Sequence, residues 1–414
     1  MVHSLSGSEV LLGEMVKGFA LGLALSLAAI SAPASAETPA AGIFVDPNST
    51  VKQAAARLEG QARDDALLLS RFAAGSWLTS GTPDVVEARV RDIVDRATAA
   101  GQVPVLIAYN IPFRDCALYS AGGAADSAAY RAWIEGFAAG IGAREAIVIL
   151  EPDGLGVIPW HRTLGGTVEH CQPAGQDDRA ADERYAQLRG AVAILSALPD
   201  VRLYLDGTGS SWLAPGEAAH RLIKADVARA TGFFLNVSNF ESDARVVSYA
   251  RWVSDCIALV TRGGRDPREC PSQYAPADFT DQATWGATDA AFDRLFEQAK
   301  LRRDPVAQKR AVIDTSRNGQ GSWQPPAGRY ADAEVWCNPP GRGLGRRPTL
   351  DSGNPYVDAF LWIKIPGESD GECHRGQGGP ADPERGMTAP PAGSWFAQQA
   401  RELIEFANPP IAPD

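Results

Sequence analysis

Six short apolar runs, each closed by a polar residue, constrain this chain more than any other feature. They are Val103 to Tyr109 before Asn110, Ala146 to Leu150 before Glu151, Val201 to Leu205 before Asp206, Gly232 to Leu235 before Asn236, Arg310 to Ile313 before Asp314, and Ala359 to Ile363 before Lys364. Runs that are continuously apolar, not alternating, belong to strands covered on both faces, as in a parallel sheet. Segments with helical spacing lie between them: Ala128 to Ile141, Asp182 to Leu198, Gly216 to Ala230, Ala244 to Val260, and Asp289 to Leu301. The alternation predicts right-handed βαβ units in an α/β fold. A barrel and an open three-layer sheet both satisfy it. Either way the functional site forms where the strands end, on the loops that follow them.

Residues 1–36 read as a secretory leader: Lys17, an apolar run from Gly18 to Ile30, and the small-residue site Ala34-Ser35-Ala36. Met15 is an alternative start. Residues 37–414 are then expected to form one domain, secreted, with no membrane span, since no later apolar run is long enough. The net charge of −11 comes without a long basic cluster, so nucleic acid is not an expected partner. Six cysteines in an exported chain point to disulfides, and no C-x-x-C spacing occurs. Five histidines, none at metal-binding spacing, argue against a metal or other cofactor. Two tracts, Gly263 to Thr280 and Gly371 to Gly393, carry glycine, proline and charge without apolar periodicity and read as loops.

The strand ends carry carboxylates: Asp115, Asp153, Asp206, and Glu368 with Asp370. A lone Asp at a strand end is more often a helix cap or loop brace than a catalyst. Several on one face can divide labour, because burial and like charge raise one carboxyl's pKa while another stays ionised. Glycosidic hydrolysis needs that division, one acid and one base. Asp314 reads as structural, paired with the nearby Arg317. Trp77, Trp212 and Trp336 fall at or after strand-like segments, where indole faces can stack on pyranose rings, whereas Trp362 lies inside an apolar strand and reads as core. No G-x-S-x-G elbow or Walker loop is present.

Taken together and in order, YNIPFRDC, ILEPDGL, YLDGTGSSW, NVSNF, VIDTSRNG, WCNPPGRGLG and DAFLWIKIPGESDG resemble glycoside hydrolase family 6 over essentially all of residues 37–414. The resemblance implies a distorted, seven-stranded parallel β/α barrel with long loops over the C-terminal strand ends. It also implies an inverting β-1,4-glucanase without a metal, acting on cellulose or related glucans as a monomer. It makes Asp153 the general acid, Asp115 the residue that keeps that acid protonated and helps organise water, and Tyr109 the residue that distorts the sugar at the cleavage point. Asp370 becomes the candidate base, with Lys364 and Glu368 beside it. Trp77, Trp212, Trp336, Asn239 and Asp206 fall on substrate-binding positions. The pairs Cys116–Cys171 and Cys337–Cys373 follow by resemblance, leaving Cys256–Cys270.

Two departures from the family pattern stand out. The D-A-G-H segment reads Asp206, Gly207, Thr208, Gly209, so a histidine contact to the leaving-group sugars is missing. The water-holding serine aligns with Ala121, so the relay falls to Ser120 or to a backbone carbonyl. The short segment after Cys116 favours an endoglucanase, with a cellobiohydrolase as the alternative. A catalytically inactive carbohydrate-binding protein and a metal-dependent barrel hydrolase are the rivals from other classes.

Overall fold

Seven strands pair in chain order and all run parallel: β1 (Ser76–Leu78), β2 (Val105–Ala108), β3 (Ala146–Leu150), β4 (Val201–Asp206), β5 (Gly232–Leu235), β6 (Arg310–Asp314) and β7 (Val357–Leu361). They belong to a computed structural model that describes residues 42–411. The expected leader lies outside the described residues. A doubly wound open sheet reverses its strand order at a switch point. This order never reverses, so the sheet curls one way throughout, as the barrel reading expects.

The barrel is distorted at its seam. Among the described residues no ladder joins β1 to β7; instead Gly75 N donates to Trp362 O at 2.8 Å and Trp77 Nε1 to Ile363 O at 2.9 Å. A Cβ at position 75 would lie 2.3 Å from Ile107 Cδ1 and 2.7 Å from Ile363 O, so only glycine lets the two edges meet this closely.

Side chains alternate along the strands as the pleat requires. Ile107, Ile149, Tyr204, Phe234, Val312 and Leu361 pack together in one buried cluster. Their sequence neighbours Leu106, Val148, Leu203, Phe233, Ile313 and Phe360 pack in another with the helices. Those helices are α1 (Thr50–Ala55), α2 (Gly60–Leu69), α3 (Pro83–Ala99), α4 (Ser127–Ile141), α5 (Arg179–Leu195), α6 (Pro215–Lys224), α7 (Asp243–Thr261), α8 (Gly286–Gln298) and α9 (Ala397–Glu405). None of the described helices is long and apolar enough to cross a membrane.

Several boundaries differ from the sequence expectation. β1 has three residues, too few for a periodic signal, and α1, α2, α3 and α9 were not among the expected helices. β7 begins at Val357, so Trp362 and Ile363 lie past its end. α6 stops at Lys224 although apolar spacing continues, because Val227 and Ala230 reach the core from a turn. Trp362 is core, as expected: it is 2% exposed and its Nε1 donates to Arg346 O at 2.9 Å.

Candidate active site

Backbone strain gathers where the strands end. Phe113, Asp115, Cys116, Glu151, Asp153, Thr208, Asn236 and Ser238 all have φ between 45° and 66°. Non-glycine residues avoid this region at a cost of about 1–2 kcal/mol each, so the surrounding contacts must hold them there.

Those contacts are visible behind Asp153. The Asp206 carboxylate accepts from Leu155 N at 3.1 Å, Gly156 N at 2.9 Å and Thr208 N at 2.8 Å. Arg221 Nη1 donates to Leu155 O and Gly156 O at 2.8 and 3.2 Å, and Arg184 Nη1 to Gly154 O and Val157 O, both at 3.0 Å. Arg184 Nη2 also reaches Pro112 O at 2.7 Å, tying the Asp153 loop to the segment that leads into Asp115. Asp206 was expected against sugar; its oxygens are instead engaged by the backbone of the loop after Asp153, and it is 4% exposed.

Burial pushes the Asp153 carboxyl well above its ordinary value, and the neighbouring Asp206 and Asp115 charges push it further. Asp115 is itself raised by burial, against the opposing pull of Ser120 N, which donates to it at 2.6 Å, and Arg114. Tyr109 packs edge-on against Trp77, with ring centroids 5.3 Å apart, and the Arg114 guanidinium lies 4.7 Å from its ring. Arg114 also donates to Tyr109 O at 2.7 Å and Ser120 O at 2.9 Å. The Ser120 backbone thus braces Asp115 and Arg114 together.

Asp370 stands in the opposite electrostatic state. Burial acts to raise its carboxyl, but Arg317 and Lys364 override it and hold it below the usual carboxylate range. Arg317 Nη1 donates at 2.7 Å, Lys364 Nζ lies at 3.2 Å, and Asn338 N donates at 2.9 Å. The expected Asp314–Arg317 pair is therefore corrected. Asp314 is fully buried and accepts from the N–H groups of Ser238, Ser316, Ile363 and Lys364, leaving Arg317 to Asp370. Glu368 accepts from Thr50 Oγ1 at 2.6 Å.

The aromatics divide by exposure. Trp212 is 37% exposed, and a Cβ at Gly156 would lie 2.4 Å from its ring, so the indole rests directly on the Asp153 loop. Trp336 is half-buried beside Tyr119, with ring centroids 5.7 Å apart. Asn239 is half-buried and donates to Val237 O at 3.1 Å. All three expected disulfides are formed: Cys116–Cys171, Cys256–Cys270 and Cys337–Cys373. Among the described residues no three His, Cys, Asp or Glu side chains are grouped to hold a metal ion.

Sequence reasoning missed Arg184, Arg221, Asn338, Tyr119 and Glu151, and gave Arg317 a different partner from the Asp370 it meets. Glu151 is wholly buried and accepts from Asn110 N at 2.9 Å and Ile111 N at 3.1 Å, joining the ends of β2 and β3. A signal existed for Arg184. It occupies a position of the buried stripe Ala181, Tyr185, Leu188, Val192 on α5, where a charge requires a buried partner.

The model for "Glycosyl hydrolases family 6" matches residues 38–407. Endoglucanase A of Thermobispora bispora is 32% identical over 354 residues, covering 84% of this chain and 62% of that protein. Endoglucanase 1 of Streptomyces halstedii is 33% identical over 366 residues, covering 87% of this chain and 91% of that protein. The structure of the endoglucanase Cel6 from Mycobacterium tuberculosis, in complex with a thio-linked cellobioside, aligns with a TM-score of 0.64 at 31% identity, over 89% of this chain and 98% of that one. This chain spans about three fifths of the Thermobispora bispora relative, 62% of its length. With the family model matched over residues 38–407, and the carboxyls gathered at the strand ends, the chain belongs to glycosyl hydrolases family 6.

Proposed function

We propose that this protein is a secreted, monomeric, single-domain endo-β-1,4-glucanase that hydrolyses cellulose and related glucans with inversion. The observation that carries the reading is the opposed surroundings of two strand-end carboxyls, Asp153 half-buried beside Asp115 and Asp206, and Asp370 buried against Arg317 and Lys364. Asp153 keeps its proton above the usual carboxylate range, and Asp370 keeps its charge below it. A pair driven apart in this way supplies both halves of the reaction at one pH.

In the proposed reaction Asp153 gives its proton to the glycosidic oxygen as the bond to the anomeric carbon breaks. A water on the opposite face loses a proton to Asp370 and forms the new bond to that carbon. Inversion requires the two carboxyls to stand about 6.5–9.5 Å apart, so that the water fits between base and sugar. Asp206 and Asp115 hold the acid protonated, and Arg317 with Lys364 holds the base charged. Tyr109, stiffened by Trp77 and Arg114, presses on the sugar at the cleavage point. Trp77, Trp212, Trp336 and Asn239 bind the chain on either side, Lys364 and Glu368 flank the base, and Ser120 places its backbone beside Asp115 for the water relay.

The endo reading is favoured by the brevity of the loop between Cys116 and α4 and by the endoglucanases among the relatives. The test follows carboxymethylcellulose viscosity against reducing ends released. A steep fall at low conversion is expected; near-constant viscosity with cellobiose as almost the sole product would overturn it in favour of a cellobiohydrolase.

A further inference from the structure

Tyr274 belongs to the polar tract after α7, and neither the family motifs nor the proposed reaction gives it a role. Its side chain is 47% exposed, among the largest exposures of any aromatic residue described. Exposed loop aromatics usually move; this one is held from several sides. Its ring stacks on Phe279, with centroids 5.4 Å apart and planes 29° from parallel. Phe279 is in turn covered by the Arg245 guanidinium at 4.6 Å, and Arg245 also donates to Phe279 O. Ser272 Oγ accepts from Tyr274 N at 3.1 Å, Thr288 Oγ1 donates to Ser272 O at 2.7 Å, and Cys256–Cys270 ties the tract to α7.

The neighbouring residue fixes where this ring sits. Gln273 is wholly buried, and its Nε2 donates to Ser210 O and to Leu213 O, both at 3.0 Å. Those two carbonyls flank Trp212 in the loop after β4. Arg245, at the start of α7, covers the Phe279 ring under Tyr274 and pairs with Glu241, from the loop after β5 that also carries Asn239. The ring therefore stands at the rim of the strand-end face, between the loop of Trp212 and the loop of Asn239.

We infer that Tyr274 is a sugar-stacking platform for a glucan unit lying beyond Trp212, on the side of Asp153 away from Trp77. The inference rests on the glucanase reading above. An aromatic ring already immobilised by Phe279 loses little freedom on binding, so its stacking is realised as affinity. A platform that remote touches no reacting atom. It affects only substrates long enough to reach it, and it acts on KM with little change in kcat.

The experiment compares wild type, Tyr274→Ala and Tyr274→Phe on cello-oligosaccharides from cellotriose to cellohexaose. In the alanine variant KM for the longest substrates is expected to rise about 3- to 10-fold, the range a single ring contact supplies, with the shortest unchanged and with phenylalanine restoring the loss. A second measurement uses Tyr274→Trp, whose added indole emission is expected to respond to cellohexaose beyond the wild-type response. An alanine variant with wild-type KM at every length, or a tryptophan variant with no added response, overturns the platform while leaving the glucanase reading intact. A wild type that cleaves none of these substrates overturns the glucanase reading and the platform with it.

Discussion

The phenol of Tyr119 donates to Glu334 Oε1 at 2.7 Å, joining the loop of Asp115 to a segment 215 residues further along the chain. The Glu334 carboxylate is shared: its other oxygen accepts from His374 N at 2.8 Å and also from Arg375 N, just past Asp370. Tyr119 also lies against Trp336, His374 and Gly371, where a Cβ would meet its side chain at 2.5 Å. One side chain thus fixes the segment carrying Asp115 against the segments flanking Asp370.

Tyr119→Phe keeps the ring and loses the hydrogen bond, a contact to a charged group worth about 1.5–3 kcal/mol. We expect kcat on soluble glucan to fall modestly in this variant and further in Tyr119→Ala, which loses the ring contacts as well. Wild-type kcat in the alanine variant would show that the bridge does not position the site.

Asp153→Asn is expected to lose several orders of magnitude on cellulose and much less on a glycoside whose leaving group departs without a proton. Equal loss on both substrates sinks the assignment. The raised carboxyl also sets the alkaline limb of activity, since the acid must stay protonated. Asp115→Asn removes one of the charges that raise it, so the alkaline limb should move to lower pH.

Arg317→Gln leaves only Lys364 and the Asn338 N–H to oppose the burial of Asp370. A base must be charged to act, and its depressed pKa keeps it charged into acid. The acid limb of the pH–rate profile should therefore move upward by about one unit or more. An unmoved acid limb points to a different base.

Stability carries its own pH signature through Glu151. Burial raises its carboxyl from 4.5 to about 7, with the N–H groups of Asn110 and Ile111, Tyr130 and Arg184 opposing only in part. The folded state holds this proton more tightly than the unfolded chain. Its stabilising contribution is complete below the ordinary value of 4.5 and lost as pH rises through about 7. The shift is worth about 3 kcal/mol at most. Denaturant unfolding of wild type and Glu151→Gln, compared from pH 4.5 to 8, should show the wild type losing stability faster. Parallel curves would place the proton elsewhere.

The stereochemical outcome is checked by NMR of the first product released. The α-anomer is expected from a β-linked chain, and an initial β-anomer excludes inversion.

The sequence alone determined the parallel α/β architecture, because buried strands must be continuously apolar and the intervening helices must show one apolar stripe. It also located Asp115, Asp153 and Asp370, because a residue that ends a strand or follows it closely lies on the face where ligands bind. Local patterns of this kind are complete within a few residues. What they do not contain is which charge meets which. Arg317 stands three residues from Asp314, and proximity in the chain favours that pair. Only the curl of the sheet brings Asp370 to 2.7 Å from Arg317 while four backbone N–H groups satisfy Asp314. Asp206 has the sequence profile of a substrate contact, and the packing of two strand-end loops turned it into a backbone brace behind the acid. Tyr119 and Glu334 are joined across 215 residues, with no periodicity to announce them. Electrostatic partnership depends on distance and burial, and both are properties of the folded chain.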